Sequence, residues 1–330
     1  MEAYLVWGKF VICALVIFFA GKQVARYGDI IAERTGLGRV WIGVILISLI
    51  TSLPELFNGI SAVTLVKAPD LVVGDLIGAN AFNLLNLALL DIMNRGQPLL
   101  TGASATHRLT GWFSTGMMLL VAFSIVLGRY FPSLSLGWIG FYSPLIIIFY
   151  LLAIWKIFSA EREVYTAEAE IYCAEASTGR VYLYFSIAAA FIIAAGIWLA
   201  VIGEEISRYT GLGQSFVGSL FLAFSTTLPE ITVSFTAMRL GATDMAVANM
   251  IGSNLFNLTI IPVADLFYGR PLLSHVSPGH LITAGAVLLM TLLFISALHL
   301  RVRRYFRLSW WNLPTILIFA AAAYLSFLNA

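Results

Sequence analysis

The sequence predicts an all-α membrane protein: ten transmembrane helices in two inverted five-helix repeats. Three observations carry that prediction. The 330 residues are 60% hydrophobic and 11% charged, with a mean hydropathy of +0.92, whereas a soluble domain carries roughly 25% charged residues. Ten stretches reach the about 20 mostly apolar residues that a spanning helix needs. A short polar interruption occurs at matching places in the two halves, as Thr51-Ser52-Leu53-Pro54-Glu55 and as Thr226-Thr227-Leu228-Pro229-Glu230.

The predicted spans lie near 3–21, 40–65, 71–93, 110–128, 136–158, 181–203, 213–238, 245–268, 280–299 and 311–328. The first begins at Ala3 with almost no basic segment before it and no small-residue cleavage site after it, so it reads as a retained helix. Residues 1–158 form the first repeat and 181–330 the second. The linker between them, 159–180, carries Glu161, Glu163, Glu168, Glu170 and Glu175 without calcium-loop spacing. Basic residues gather on the odd loops, with Lys22, Arg26, Arg34 and Arg39 in the first and Arg301, Arg303, Arg304 and Arg307 in the ninth. The even loops and termini hold only Lys9, Lys67, Arg129, Arg208 and Arg270. Positive charge marks the cytoplasmic side, so both termini are expected outside and the 159–180 loop inside. Membrane lipid and inorganic cations are the expected partners. The net charge of +2 says little about partners; no basic run suits nucleic acid, and no obligate protein partner is evident. Cys13 and Cys173 are too isolated for a disulfide framework or a metal site. His107, His275, His280 and His299 read as interface residues at span ends.

The halves agree in detail. Gly36-Leu37-Gly38 aligns with Gly211-Leu212-Gly213, Gly43 with Gly218, and Asp91 with Asp265. The two Leu-Pro-Glu helices are an odd number of spans apart, so the halves enter the membrane in opposite senses. Such an inverted repeat lets a transporter alternate access around a site near the midplane.

The polar stretches carry the chemistry. A proline lacks an N–H and crowds the carbonyl four residues back, here that of Ile50 for Pro54 and that of Ser225 for Pro229. A carbonyl freed in this way is tolerated at membrane depth only where protein, water or an ion satisfies it. Hydroxyls and a carboxylate share the same turn. A second polar patch follows each kink: Asp75, Ala79 and Asn83 share one helix face, as do Asn249, Ser253 and Asn257. Glu55, Asp75 and Glu230 have no Lys or Arg partner in the spans, and an unpaired buried acid is neutralised by a proton or a cation. Carboxylates, hydroxyls and amides without thiolate or imidazole favour Ca²⁺ and Na⁺ over soft metals. No His-Glu-x-x-His or Gly-x-Ser-x-Gly arrangement occurs in a span, so nothing points to an enzyme.

At these residues the sequence resembles the calcium/cation antiporter superfamily, especially its prokaryotic sodium/calcium exchangers. The resemblance rests on the two Thr-x-Leu-Pro-Glu stretches with Gly74-Asp75-Leu76-Ile77-Gly78-Ala79-Asn80 and Asn249-Met250-Ile251-Gly252-Ser253-Asn254. It implies a plasma-membrane antiporter without cofactor that exchanges Na⁺ for Ca²⁺, with a proton/Ca²⁺ exchanger as the alternative. The ion site would lie at the repeat interface. Glu55 and Glu230 would bridge the ions. Thr51 and Thr226 would give carbonyl or hydroxyl oxygens, and Ser52 and Thr227 hydroxyls. Asn83, Ser253 and Asn257 match further ligand positions, and Ser48 and Ala223 match places where a backbone carbonyl contributes. The chain departs from the family pattern at Ile50 and Ser225, where Gly is usual, at Ala79, where Ser is usual, and at Asn257, where some relatives carry Asp. Asp75 stands in place of an Asn and adds an acid to the expected ion pathway.

Overall fold

The computed structural model describes residues 2–94, 96–131, 135–168, 178–209, 223–300, 304–305 and 308–328. The helices are α1 (Glu2–Thr35), α2 (Arg39–Val66), α3 (Pro69–Met93), α4 (Thr106–Tyr130), α5 (Tyr142–Glu168), α6 (Thr178–Tyr209), α7 (Leu228–Arg239), α8 (Thr243–Tyr268), α9 (His280–His299) and α10 (Asn312–Leu328). Among the described residues, eight helices are long and apolar enough to cross a membrane; α10 is apolar but shorter. Residues 210–222 and 169–177, with Cys173, Gly211, Gly213 and Gly218, lie outside the described residues.

α1 runs well past its predicted end near residue 21, because Val24, Ala25 and Gly28 keep an apolar face against the protein. α5 likewise continues to Glu168, into the stretch read as a linker. Two antiparallel strand pairs went unpredicted: β1 (Ser135–Leu136) with β2 (Ile139–Gly140), and β3 (Arg304–Tyr305) with β4 (Leu308–Ser309). They join α4 to α5 and α9 to α10 at corresponding places in the two halves.

α3 and α8 form the centre. Over its most apolar stretch α8 is 78% buried and α3 72%, against 28% for α1 and 22% for α5. Helices enclosed on every side need no polar face, which is why α3 and α8 show little amphipathic pattern. The two cross through a reciprocal amide lock. Asn80 Nδ2 donates to the Asn254 carbonyl at 3.0 Å, and Asn254 Nδ2 donates to the Asn80 carbonyl at 3.2 Å. Asn83 Nδ2 donates to Asn254 Oδ1 at 3.0 Å, and Asn257 Nδ2 to Asn80 Oδ1 at 3.1 Å. Bare backbone contact lets α2 join this centre: a Cβ at Gly252 would lie 2.6 Å from Val44 Cα.

The helix ends are tied across the halves. Asp70, in the first turn of α3, accepts from Ser277 N at 2.6 Å and meets His280 Nε2 of α9 at 2.9 Å. Asp244, in the first turn of α8, accepts from Ser104 N at 3.0 Å and meets His107 Nε2 of α4 at 2.7 Å. These contacts correct the reading of His107 and His280 as interface residues: His107 is fully buried, and each of the two pairs with an acid from the other half. Asp91 and Asp265 also act alike, each accepting the backbone N–H of the loop that follows its helix, Leu99 N and Leu272 N, at 2.6 Å.

α1 and α6 join the main core through Ala20, Val24 and Ala25 of α1 and Val181, Phe185 and Ile192 of α6, and form a second cluster with each other. Val6, Cys13 and Ile17 of α1 pack with Ala195, Leu199, Ile202 and Ile206 of α6 in an apolar cluster separate from the main core. Cys13 is buried there, its thiol 3.5 Å from the Ala195 carbonyl. α6 meets the polar centre at Gly196, where a Cβ would collide with Pro54 Cγ and lie 3.6 Å from Pro229 Cγ.

Two predictions follow from this packing. Asp244→Asn weakens a charge-assisted tie to a buried imidazole, and a loss of about 2 kcal/mol is expected, read as a lower melting temperature in detergent; an unchanged melting temperature would refute the tie. Gly196→Val forces α6 off both prolines at about 1–3 kcal/mol. Gly285→Val, where nothing lies within 4 Å of the added carbon, serves as the control and is expected to melt like the parent.

Candidate functional site

Each kink places its carboxylate at the start of a helix. α2 breaks at Ser52, whose φ of −93° and ψ of 4° leave the helical region, and resumes with Pro54 in its first turn. Thr227 forms the corresponding turn before α7, with φ −81° and ψ 0° still inside the right-handed helical region. Proline is favoured in a first helical turn, where its missing N–H has no partner to lose. Glu55 and Glu230 then stand in the first turns of their segments, where the helix dipole favours negative charge.

The predicted residues converge in the interior. Ser48, Thr51, Ser52, Glu55, Asn83, Thr226, Thr227, Glu230, Ser253 and Asn257 are fully buried, and Asp75 and Ala223 nearly so. Ser52 Oγ of one half donates to Glu230 Oε1 of the other at 3.0 Å. Thr51 Oγ1 lies 3.3 Å from Asn249 Oδ1 and 3.5 Å from Ser253 Oγ. The counterpart Thr226 Oγ1 lies 3.5 Å from Asp75 Oδ1. The threonines of the two broken helices therefore face equivalent positions on α8 and α3, an amide on one arm and a carboxylate on the other.

Several buried oxygens have no hydrogen-bond donor: both carboxylate oxygens of Glu55, Glu230 Oε2, Asn83 Oδ1 and Asn257 Oδ1. Asn83 and Asn257 spend their amide N–H groups on the lock and leave their carbonyl oxygens open. Among the described residues no Lys, Arg or His pairs with Glu55, Glu230 or Asp75. Buried polar groups are almost always satisfied, so this set of acceptor oxygens fits a hard cation, which takes only oxygen ligands.

Other predicted residues are engaged differently. The Ser48 carbonyl accepts from Ser52 N at 2.9 Å and from Thr51 Oγ1 at 3.3 Å, while Ser48 Oγ donates back to the Val44 carbonyl. The Ala223 carbonyl accepts from Thr227 N at 3.2 Å, Thr226 Oγ1 at 3.1 Å and Thr227 Oγ1 at 3.0 Å. Asp75 Oδ2 accepts from Asn58 Nδ2 at 2.7 Å. Among the described residues no three His, Cys, Asp or Glu side chains form a group that could hold a metal ion, so Asp75 does not complete a three-acid cluster with the two glutamates. Sequence reasoning missed Asn58 and Ser234. Ser234 accepts from Asn249 Nδ2 at 2.9 Å. Each lies about one turn beyond its Leu-Pro-Glu, at the spacing that puts it on the same helix face as the glutamate.

Comparison with known proteins agrees with this geometry. A family model described as "Sodium/calcium exchanger protein" matches residues 5–164 and again 180–328. The chain is 25% identical over 257 residues to the inner membrane protein YrbG of Escherichia coli, covering 75% of each. It is 24% identical to the uncharacterized membrane protein MJ0091 of Methanocaldococcus jannaschii, covering 90% of this chain and 92% of that one. A shorter match, 32% identical over 102 residues, is to sodium/potassium/calcium exchanger 2 of Gallus gallus, of which it spans only 15%. The fold matches a solved structure of the sodium-calcium exchanger NCX_Mj with a TM-score of 0.73 at 19% identity, covering 97% of this chain and 98% of that one. With both halves of its length matched by the family model, and with its polar centre built from the paired Leu-Pro-Glu segments, this chain belongs to the sodium/calcium exchanger family.

Proposed function

We propose that the protein is a secondary active antiporter that exchanges Na⁺ for Ca²⁺ across the plasma membrane. The observation that carries this reading is the buried pair Glu55 and Glu230, set on two proline-broken helices with unpartnered oxygens and, among the described residues, no cationic partner. Both ions are hard cations that need the same oxygens, so they compete for overlapping positions. Glu55 and Glu230 bridge them, with Thr51, Thr226, Ser52, Thr227, Asn83, Asn257 and Ser253 as neutral ligands. Ser48 and Ala223 act through carbonyls that also anchor the kinks.

The two matches of one family model and the cross-paired contacts at Asn80 and Asn254 support an inverted repeat of two five-helix halves, 1–158 and 181–330, with ten spans. The basic loops support external termini and a cytoplasmic 159–180 segment. The α1–α6 cluster supports alternating access in which those two helices slide past the core.

One feature favours a second counter-ion. Asp75 adds a third buried carboxylate where the other arm has Asn249, so the centre carries one negative charge more than a symmetric arrangement. A proton on Asp75 during exchange is the simplest way to balance it. The relatives named sodium/potassium/calcium exchangers make K⁺ a third cation to test.

Proteoliposomes decide among these. ⁴⁵Ca²⁺ uptake is expected under an imposed Na⁺ gradient at constant pH. Uptake driven only by a pH gradient would overturn the Na⁺ assignment and favour the proton alternative. Glu55→Gln and Glu230→Gln each remove a charged ligand while keeping shape. Losing an outer-sphere partner alone costs 10–100-fold in metal affinity, so uptake is expected to fall by about 100-fold or more. Full uptake in either variant would remove that residue from the site.

A further inference from the structure

A groove of about 660 Å³ runs along the seam of α1 and α6, away from the polar centre. Its walls are Ile12, Leu15 and Phe19 of α1 and Ile187 and Phe191 of α6, all of them at least 46% exposed. One end is polar, lined by Gln23, Arg26, Tyr27 and Tyr184. The Tyr27 and Tyr184 rings meet there, with centroids 5.6 Å apart and planes inclined by 30°. Arg26 is exposed and forms no ion pair with a described residue. The acids nearest to it in sequence, Asp29 and Glu33, are both held by Arg39. Arg180, also exposed, stands one turn before Tyr184 on the same face of α6.

We propose that this groove binds one anionic phospholipid, its acyl chains along the α1–α6 seam and its phosphate on Arg26. The dimensions agree. Arg26 lies 21 residues from Leu5, about 32 Å along a helix, which is one hydrocarbon thickness; the guanidinium therefore reaches headgroup level while the apolar walls lie at acyl depth. Arginine matches phosphate with a planar fork of donors, and the two tyrosines are residues that favour the membrane–water boundary. The walls face hydrocarbon, which leaves no water to fill them. Charge complementarity at the polar end then selects the headgroup. A zwitterionic lipid brings a choline or amine against Arg26 and Arg180, whereas an anionic one brings only negative charge.

The test is native mass spectrometry of the full chain, released from mixed micelles holding phosphatidylglycerol and phosphatidylcholine with the same chains. The parent is expected to retain phosphatidylglycerol preferentially. A cation near an anionic surface contributes about 1 kcal/mol, so Arg26→Gln is expected to lower the retained phosphatidylglycerol-to-phosphatidylcholine ratio about fivefold, and Arg26→Lys to keep most of it. Phe191→Ala is expected to reduce retention of both lipids. Lys156→Gln, an exposed cation on α5 away from the groove, is expected to change nothing. Equal retention of the two lipids by the parent would overturn the proposal, as would an unaltered ratio in Arg26→Gln or an equal loss in Lys156→Gln. A groove filled by a second copy of this chain, seen as a dimer that excludes lipid, would overturn it as well. Because retention is read without transport, failure here leaves the ion-exchange reading untouched.

Discussion

Two carboxylates buried without a cationic side chain set the terms for the centre of the molecule. A charge in that position is held only by what can be brought to it, and the described residues bring oxygen and N–H dipoles but no lysine or arginine. The proline breaks follow from this constraint. They interrupt the backbone ladder where Glu55 and Glu230 enter and set both acids at helix starts. The amide lock follows too. Asn80, Asn83, Asn254 and Asn257 consume one another's N–H groups and turn two carbonyl oxygens toward the open set. Polar groups that would be costly singly in an apolar interior become a rigid frame when they satisfy each other.

The frame and its surroundings are built to different standards. α2 is fixed to α8 by backbone contact, α3 to α8 by the lock, and α4 and α9 to α8 and α3 by two histidine–aspartate ties. α1 and α6 are held by apolar packing, partly in the main core and partly in a cluster of their own, and meet the two prolines at Gly196. Apolar contact has no preferred register, whereas a hydrogen bond has a length and an angle. The directional interactions are concentrated at the polar centre and the non-directional ones at the α1–α6 contact.

Much of this was legible in the sequence. Hydropathy gave the membrane class and the places of the eight long apolar helices found among the described residues, since a spanning helix has no other composition available to it. The recurrence of Thr-x-Leu-Pro-Glu located the centre, and Thr51, Ser52, Glu230, Ser253, Thr226 and Asp75 do meet there. What stayed hidden depends on partners far apart in sequence. His107 and Asp244 are separated by 137 positions and His280 and Asp70 by 210, and no local pattern connects them. The repeat held the signal: an acid in the first turn of α3 and α8 and a histidine at the start of α4 and α9. The length of α1 was hidden for another reason. Past residue 21 its outward residues are polar, and only its inward face, set by tertiary packing, keeps it helical.

The histidine–aspartate ties and the amide lock share a property that reaches beyond stability. In each, a residue of one half grips a residue of the other, and the corresponding partners return the grip. Asp70 holds His280 as Asp244 holds His107, and Asn80 and Asn254 exchange the same bond. That is the signature of a two-fold, self-complementary interface, in which a single surface serves as its own partner. A half-length chain would already contain both sides of every one of these contacts. On the inverted-repeat reading, the fused protein is in effect a covalent dimer. The departure of Asp75 from Asn249 is then a difference that two identical subunits could never acquire.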